Sequence, residues 1–210
     1  MTAPAVPTLP QIREAVRGHR PARSPELGRA AAVLVPLLPR PDGVHVLFTR
    51  RSTALSTHSG QVSFPGGSID EGDRGPREAA LREAHEEVGL DPGHVELLGE
   101  LDDCPTFVSG FVITPVVGLV DPRFFTGEGR YPWRPNSAEV HTLHELPLAD
   151  FCDPANSRIE IREDHATLAS YQLYWFTVQG TVVWGATARI LQGLIEMSLG
   201  LPSTMPRVER

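Results

Sequence analysis

Three glutamates lie close together in one segment and have the spacing of a cation site. Glu83, Glu86 and Glu87 follow the pattern i, i+3, i+4, which places all three carboxylates on one face of an α-helix. Carboxylates this close repel one another, and a hard divalent cation relieves the repulsion, because Mg²⁺ and Mn²⁺ prefer oxygen ligands. The same spacing is typical of a solvated acidic helix face, which is the commoner origin of such a run. The three residues alone leave both interpretations open.

The helix that would carry these carboxylates is predicted over Pro76–Val88. Pro76 suits the first helical turn, where its missing N–H has no partner to lose. Gly89, followed closely by Pro92, is typical of a helix end. Small apolar residues recur at helical spacing and would let the helix approach a sheet closely; they are Ala79, Ala80, Ala84 and Val88.

The remaining apolar patterns predict several strands and two further helices. Strands are expected at residues 30–38, 44–49, 95–101, 111–120, 140–146, 173–178 and 181–184. Helices are expected at 11–18 and 185–199, the second with an apolar face. Strands mixed with strong helices indicate an α/β sandwich with a mixed sheet.

The composition narrows the class of protein. A chain of 210 residues that is 40% hydrophobic and 21% charged is typical of a globular protein, and it carries no apolar run long enough for a membrane span. The net charge of −7 argues against a nucleic-acid partner. Cys104 and Cys152 are too few for a disulfide framework or a zinc cluster, so we expect buried or half-buried thiols. With no visible signal peptide, the expected location is the cytoplasm.

A glycine-rich loop precedes the acidic helix, and the combined pattern resembles a known family. Gly67, Asp73 and the run 82–90 (REAHEEVGL) resemble the Nudix box over 24 residues: a glycine, an acid, then Arg-Glu-apolar-x-Glu-Glu-x-Gly-apolar. Asp73 stands where the family usually has Glu, and eight residues instead of seven separate it from Arg82. We expect Asp73 and Arg82 to pair and to fix the loop to the helix.

The resemblance implies a Nudix-type α/β/α sandwich that hydrolyses a diphosphate bond with Mg²⁺ or Mn²⁺ as cofactor. It implies that the three box glutamates and the Gly66 carbonyl are metal ligands, with Gly67 beside the substrate. One carboxylate, Glu83 or Glu139 of a later loop, would take a proton from the attacking water. Glu139 fits an exposed loop acid equally well.

The segment 47–67 (LFTRRSTALSTHSGQVSFPGG) is similar to the signature of the coenzyme A diphosphatase branch of this family, as are 100–103 (ELDD) and 184–189 (WGATAR). The branch resemblance implies cleavage of coenzyme A or a derivative into adenosine 3′,5′-bisphosphate and 4′-phosphopantetheine. Arg50 and Arg51 are candidate phosphate ligands. Because neighbouring strand side chains face opposite ways, one of the two is expected to reach the substrate. His58 either donates to a phosphate or holds the loop.

Two other functions remain open at this point. The same fold and box would serve a Nudix enzyme acting on ADP-ribose, NADH or a nucleoside triphosphate. A non-catalytic nucleotide-binding module is the third possibility, although such modules typically lose box carboxylates and all three are present here.

We expect an N-terminal arm (1–28), a Nudix domain (29–200) and a C-terminal tail (201–210). Neither a nucleic acid nor a membrane is an expected partner, and a homodimer is left open.

Overall fold

The computed structural model describes residues 4–25, 28–52, 60–106, 109–163 and 170–204. Its helices are α1 (Leu9–Gly18), α2 (Pro76–Val88), α3 (Leu148–Phe151) and α4 (Ala186–Ser198). Its strands are β1 (Arg29–Arg40), β2 (Gly43–Arg51), β3 (Val62–Ser63), β4 (Gly66–Ser68), β5 (Val95–Glu100), β6 (Cys104–Pro105), β7 (Phe111–Val120), β8 (Val140–Pro147), β9 (Ser157–Glu163), β10 (Ser170–Val178) and β11 (Thr181–Trp184).

β1 is the central strand of an eight-stranded mixed sheet. It runs parallel to β7 along one side and antiparallel to β2 over its second half. Over its first half the antiparallel neighbour is β4 instead, with Ala32 opposite Gly67 and Val33 opposite Gly66. The glycine pair therefore lies at the point where the neighbour of β1 changes.

Helices cover both faces of this sheet, which confirms the predicted α/β/α sandwich. Successive β1 side chains alternate between the faces, so Leu34 and Leu38 pack towards α2 while Val35 and Leu37 pack towards α4. The α2 layer is thin because the helix presents the small residues that the sequence pattern predicted; Ala79, Ala80, Ala84 and Val88 are all fully buried.

A second sheet of three strands, ordered β11-β10-β9, packs on the α4 side of the large sheet. The sequence predicted β10 and β11 but not β9. The reason is that β9 is stabilised mainly by its pairing with β10: Ile159 and Ile161 are 51% and 76% exposed, so this edge strand has no strong burial pattern.

Helix α1, in the segment expected to be an arm, packs against α4. Ile12 and Val16 are buried in the core on that side, and Arg13 and Arg17 each contact Glu96 at 2.5 Å. The division of the chain into arm, domain and tail stays a prediction. Within the described ranges, no helix is long and apolar enough to cross a membrane.

Candidate active site

Helix α2 has the boundaries that its sequence predicts. Pro76 occupies the first turn, and Gly89 ends the helix in a left-handed conformation with φ of 69°. The Gly89 N–H donates to the carbonyls of Ala84 and His85, which closes the last turn. A residue with a side chain would be strained at that φ, so the position of Gly89 fixes where the box helix stops.

Arg82 fixes the preceding loop to this helix. Its guanidinium donates to both carboxylate oxygens of Asp73, at 3.1 and 3.0 Å, and to the carbonyl of Ser68 at 3.1 Å. The Asp73 side chain is buried, so solvent screens this pair only weakly. The expected pairing is confirmed, and the shorter acid in the longer loop still reaches the arginine.

The same guanidinium also binds two of the three box carboxylates. Nη1 of Arg82 lies 2.9 Å from Glu83 Oε1 and 3.2 Å from Glu86 Oε2. Glu86 is on the solvent side, with 53% of its side chain exposed. Among the described residues, no three His, Cys, Asp or Glu side chains already form a cation cage. Glu83 and Glu86 do not form such a cage with Glu87, because their oxygens accept hydrogen bonds from Arg82.

Glu87 points into the protein, and its environment fits a bound cation. The residue is 4% exposed, and its Oε2 atom is buried with no hydrogen-bond partner. The pKa of Glu87 is raised to about 8, chiefly by burial; the charges of Glu83 and Glu139 contribute to the rise, while Arg51 and the Gly66 backbone oppose it. A buried carboxylate oxygen without a partner is costly, and a hard cation at this oxygen would remove the cost.

The glycine pair leaves room for these carboxylates. A Cβ atom at Gly67 would lie 2.5 Å from Oε1 of Glu83, so any side chain there would displace that carboxylate. A Cβ atom at Gly66 would lie 2.4 Å from the carbonyl oxygen of Ala32 on β1. Both glycines are thus required by close approach, one to the site and one to the sheet.

Glu139 is brought to the same site from the loop before β8. The Asn136 side-chain amide donates to Glu139 Oε1 at 3.1 Å, and the Asn136 N–H donates to the Glu87 carbonyl at 2.8 Å. This loop is therefore fastened to the end of α2. The pKa of Glu83 is raised chiefly by burial, with Arg82 opposing the shift and the charges of Glu86 and Glu139 adding to it.

The adjacent arginines of β2 contact different surroundings. Arg51 faces the carboxylates, with Nη1 3.8 Å from Oε1 of Glu87. Arg50 faces away from them and lies near His144. The pKa of His144 is lowered mainly by the burial of its ring and further by the charge of Arg50. Arg50 Nε and His144 Nε2 are both buried without a hydrogen-bond partner. His58 lies outside the described residues.

His144 was not found by sequence reasoning. It lies on β8 opposite Phe48, so it shares a sheet face with Arg50, two residues further along β2. Its Nδ1 atom lies 3.2 Å from the hydroxyl of Thr181 on β11. A single histidine in a strand carries no spacing signal, and only strand register brings it near the arginine.

A family model described as the NUDIX domain matches residues 28–179. The chain belongs to the Nudix family. It is 39% identical over 166 residues to proteins named Uncharacterized Nudix hydrolase NudL from Salmonella paratyphi B and Salmonella newport, an alignment that covers 79% of this chain and 81% of each relative. The predicted family and the predicted enzyme class are thus confirmed: the chain is a Nudix hydrolase, and such enzymes act on phosphorus anhydrides.

Solved structures of the family are more distant. The Nudix hydrolase RenU from M. smegmatis is 24% identical, with a TM-score of 0.45 over 57% of this chain and 71% of that one. The NUDIX domain of Shewanella oneidensis NrtR, solved in complex with ADP ribose, is 20% identical, with a TM-score of 0.43 over 65% and 83%. Nudix hydrolases generally use divalent cations such as Mg²⁺ or Mn²⁺.

Proposed function

We propose that this protein hydrolyses the diphosphate bond of coenzyme A or a coenzyme A derivative, releasing adenosine 3′,5′-bisphosphate and a 4′-phosphopantetheine product. The observation that carries the hydrolytic site is the buried, unpartnered oxygen of Glu87 beside Glu83 and Arg51. The choice of coenzyme A rests on the resemblance of segment 47–67, which supplies both β2 arginines.

Mg²⁺ or Mn²⁺ would be held by Glu83, Glu86 and Glu87, with the Gly66 carbonyl as a further oxygen ligand. When bound, the cation neutralises the diphosphate and makes a water molecule more acidic. Glu86 exchanges its contact with Arg82 for this role at small cost, because an exposed ion pair stabilises a protein by only about 0–1 kcal/mol. Glu87 needs no such exchange, since its Oε2 atom has no partner.

Other residues orient the site and move the proton. Arg82, held by Asp73 and the Ser68 carbonyl, keeps Glu83 in place. A water oxygen attacks phosphorus, the bond to the bridging oxygen breaks, and the proton of the water passes to Glu139, whose carboxylate Asn136 positions. Glu139 suits this role better than Glu83, because Glu83 is already committed to Arg82 and the cation.

Both arginines contact phosphates of the substrate in this proposal, which departs from the expectation that one of the two reaches it. Arg51 lies beside Glu87 and binds the diphosphate that is cleaved. Arg50 has a buried Nε atom with no partner, and it binds the 3′-phosphate that distinguishes coenzyme A from other adenine nucleotides. Planar guanidinium groups suit both contacts.

A substrate screen tests the proposal. The full chain is incubated with Mg²⁺ or Mn²⁺ and coenzyme A, ADP-ribose, NADH or a nucleoside triphosphate, and the products are separated by chromatography. We expect selective release of adenosine 3′,5′-bisphosphate from coenzyme A. Preference for another substrate would reject coenzyme A but keep the hydrolytic site, whereas no turnover of any substrate would favour the nucleotide-binding module.

A further inference from the structure

A cavity of about 620 Å³ lies on the α4 side of the large sheet, away from the box helix. It is enclosed by the segment after α1, the connection from β5 to β6, and α4. Apolar side chains line much of it, including those of Leu101, Ile190 and Met197. None of the box glutamates lines this cavity, and its volume is in the range of small-molecule sites.

Arg189 of α4 lines this cavity, and within the described ranges it forms no ion pair with an acid. Its Nε atom is buried and has no hydrogen-bond partner. The buried thiol of Cys104 lies beside it, and burial raises the pKa of that thiol although Arg189 opposes the shift. A thiol with a raised pKa stays neutral near pH 7, so Cys104 does not balance the guanidinium.

The acids that line the cavity are already bound by other groups. Asp102 accepts hydrogen bonds at 2.8 and 2.7 Å, Asp103 at 3.0, 3.0 and 2.8 Å, and Glu196 at 2.7, 2.9 and 2.5 Å. The donors to Asp102 are His19 and the backbone of Ala22. The donors to Asp103 are Arg23, the backbone of Ser24 and Thr114. The donors to Glu196 are Gln192 and Thr204. Each acid thus has hydrogen-bond donors of its own, and within the described residues none of the three forms an ion pair with Arg189.

Two segments that the sequence singled out meet at this cavity. Residues 100–103 contribute Leu101, Asp102 and Asp103, and residues 184–189 contribute Arg189. Neither segment supplies a carboxylate of the hydrolytic site. Both segments therefore line the same cavity, and the proposed hydrolysis of a diphosphate gives neither of them a role there.

We propose that this cavity binds a small organic anion, whose oxyanion head pairs with Arg189 and whose apolar body packs against Leu101, Ile190 and Met197. A carboxylate and a phosphate both suit a guanidinium, so the head is an oxyanion of either kind. An apolar body fits because much of the remaining lining is apolar.

Calorimetric titration of the full chain tests the proposal with three probes of eight carbons each: octanoate, octyl phosphate and octanol. We expect saturable binding of at least one of the two anions and at least about tenfold weaker binding of octanol, because the charged contact is lost. The ratio of the two anion affinities identifies the head that the site prefers. No saturable binding of either anion at millimolar concentration, or equal binding of octanol, would overturn the proposal.

Variants locate the binding. Arg189→Met is expected to weaken anion binding about tenfold, whereas Arg123→Met, at an exposed arginine paired with Asp121, leaves it unchanged. Met197→Trp keeps the charge but fills part of the cavity, and it is expected to weaken binding of the octyl tail. Unchanged affinity in both cavity variants would place the binding elsewhere and reject the proposal. Thermal unfolding verifies that each variant is folded.

This inference does not depend on the proposed function. The readout is binding, without substrate or turnover, and Glu87→Gln is expected to bind octanoate or octyl phosphate like the parent. A protein that fails to hydrolyse coenzyme A can therefore still pass this test, and an active hydrolase can fail it.

Discussion

Two helices of 13 residues cover opposite faces of the large sheet, and each buries one glutamate. Glu87 of α2 is 4% exposed and Glu196 of α4 is 3% exposed. Glu196 accepts hydrogen bonds from the Gln192 amide at 2.7 Å and from the backbone and hydroxyl of Thr204 at 2.9 and 2.5 Å. One oxygen of Glu87, by contrast, has no donor at all.

The difference separates a structural acid from an acid available to a ligand. A buried carboxylate must be compensated, and Glu196 obtains its compensation from its own chain. In doing so it ties the segment after α4 back onto the helix. Glu87 has Arg51 3.8 Å from one oxygen, but its other oxygen is buried without a partner beside two further carboxylates, an arrangement that lowers stability unless a cation binds there. The two glutamates are therefore equally buried but have different roles, one structural and one available to a ligand.

The largest expected effect is on turnover and comes from a substitution of Glu87. Glu87→Gln should lower kcat by about 10³-fold or more, because a ligand that stabilises the transition state through the cation is lost. Its thermal unfolding midpoint in the absence of metal should not fall, since a neutral amide replaces a buried carboxyl group that has one oxygen without a partner. Glu196→Gln is the matched control and should retain turnover within about twofold. Turnover near that of the parent in folded Glu87→Gln would reject the metal role.

The second effect concerns stability on the α4 side. Glu196→Ala should lower the free energy of unfolding by about 2–4 kcal/mol, because three hydrogen bonds to a buried carboxylate disappear. Urea unfolding followed by circular dichroism measures the change. An exposed acid offers the control: Glu78→Ala, which removes the surface contact with Arg74, should change stability by no more than about 1 kcal/mol. Equal losses in both variants would show that the Glu196 hydrogen bonds contribute little.

A third prediction tests whether Arg50 and Arg51 contact different phosphates of the substrate. Arg50→Ala should reduce the preference for coenzyme A over 3′-dephospho-coenzyme A by about tenfold, because one charged contact to the 3′-phosphate is removed. Arg51→Ala should lower kcat/KM for both substrates alike. Steady-state kinetics with the two substrates decide this. If the parent enzyme uses both equally, Arg50 has no 3′-phosphate to select.

The smallest expected effect is the stabilisation by metal. Saturating Mg²⁺ should raise the thermal unfolding midpoint of the parent and of Glu196→Gln by roughly 2–4 °C, since binding to the folded state adds about 1–2 kcal/mol. Glu87→Gln should show little of this shift, and a chelator should reverse it. A full shift in Glu87→Gln would place the cation elsewhere.

The sequence by itself determined the features that depend on nearby residues. The bounds of α2 followed from Pro76, Gly89 and the spacing between them, because helix signals act within one or two turns. The pairing of Asp73 with Arg82 came from the same segment. The shared role of the three box glutamates stays a prediction, because Glu87 is buried while the Glu86 side chain is 53% exposed. The mixed sheet was predictable because β1 and β7 are long, nearly continuous apolar runs.

Only the tertiary structure decided which polar groups would be left without partners. Arg50 and Arg51 look alike in the sequence, and strand register places one beside Glu87 and the other beside His144. Glu87 and Glu196 are both helix acids, and contacts from distant segments satisfy one and not the other. Burial and hydrogen bonding join residues far apart along the chain, so a local pattern does not encode which buried charge the fold leaves for a ligand.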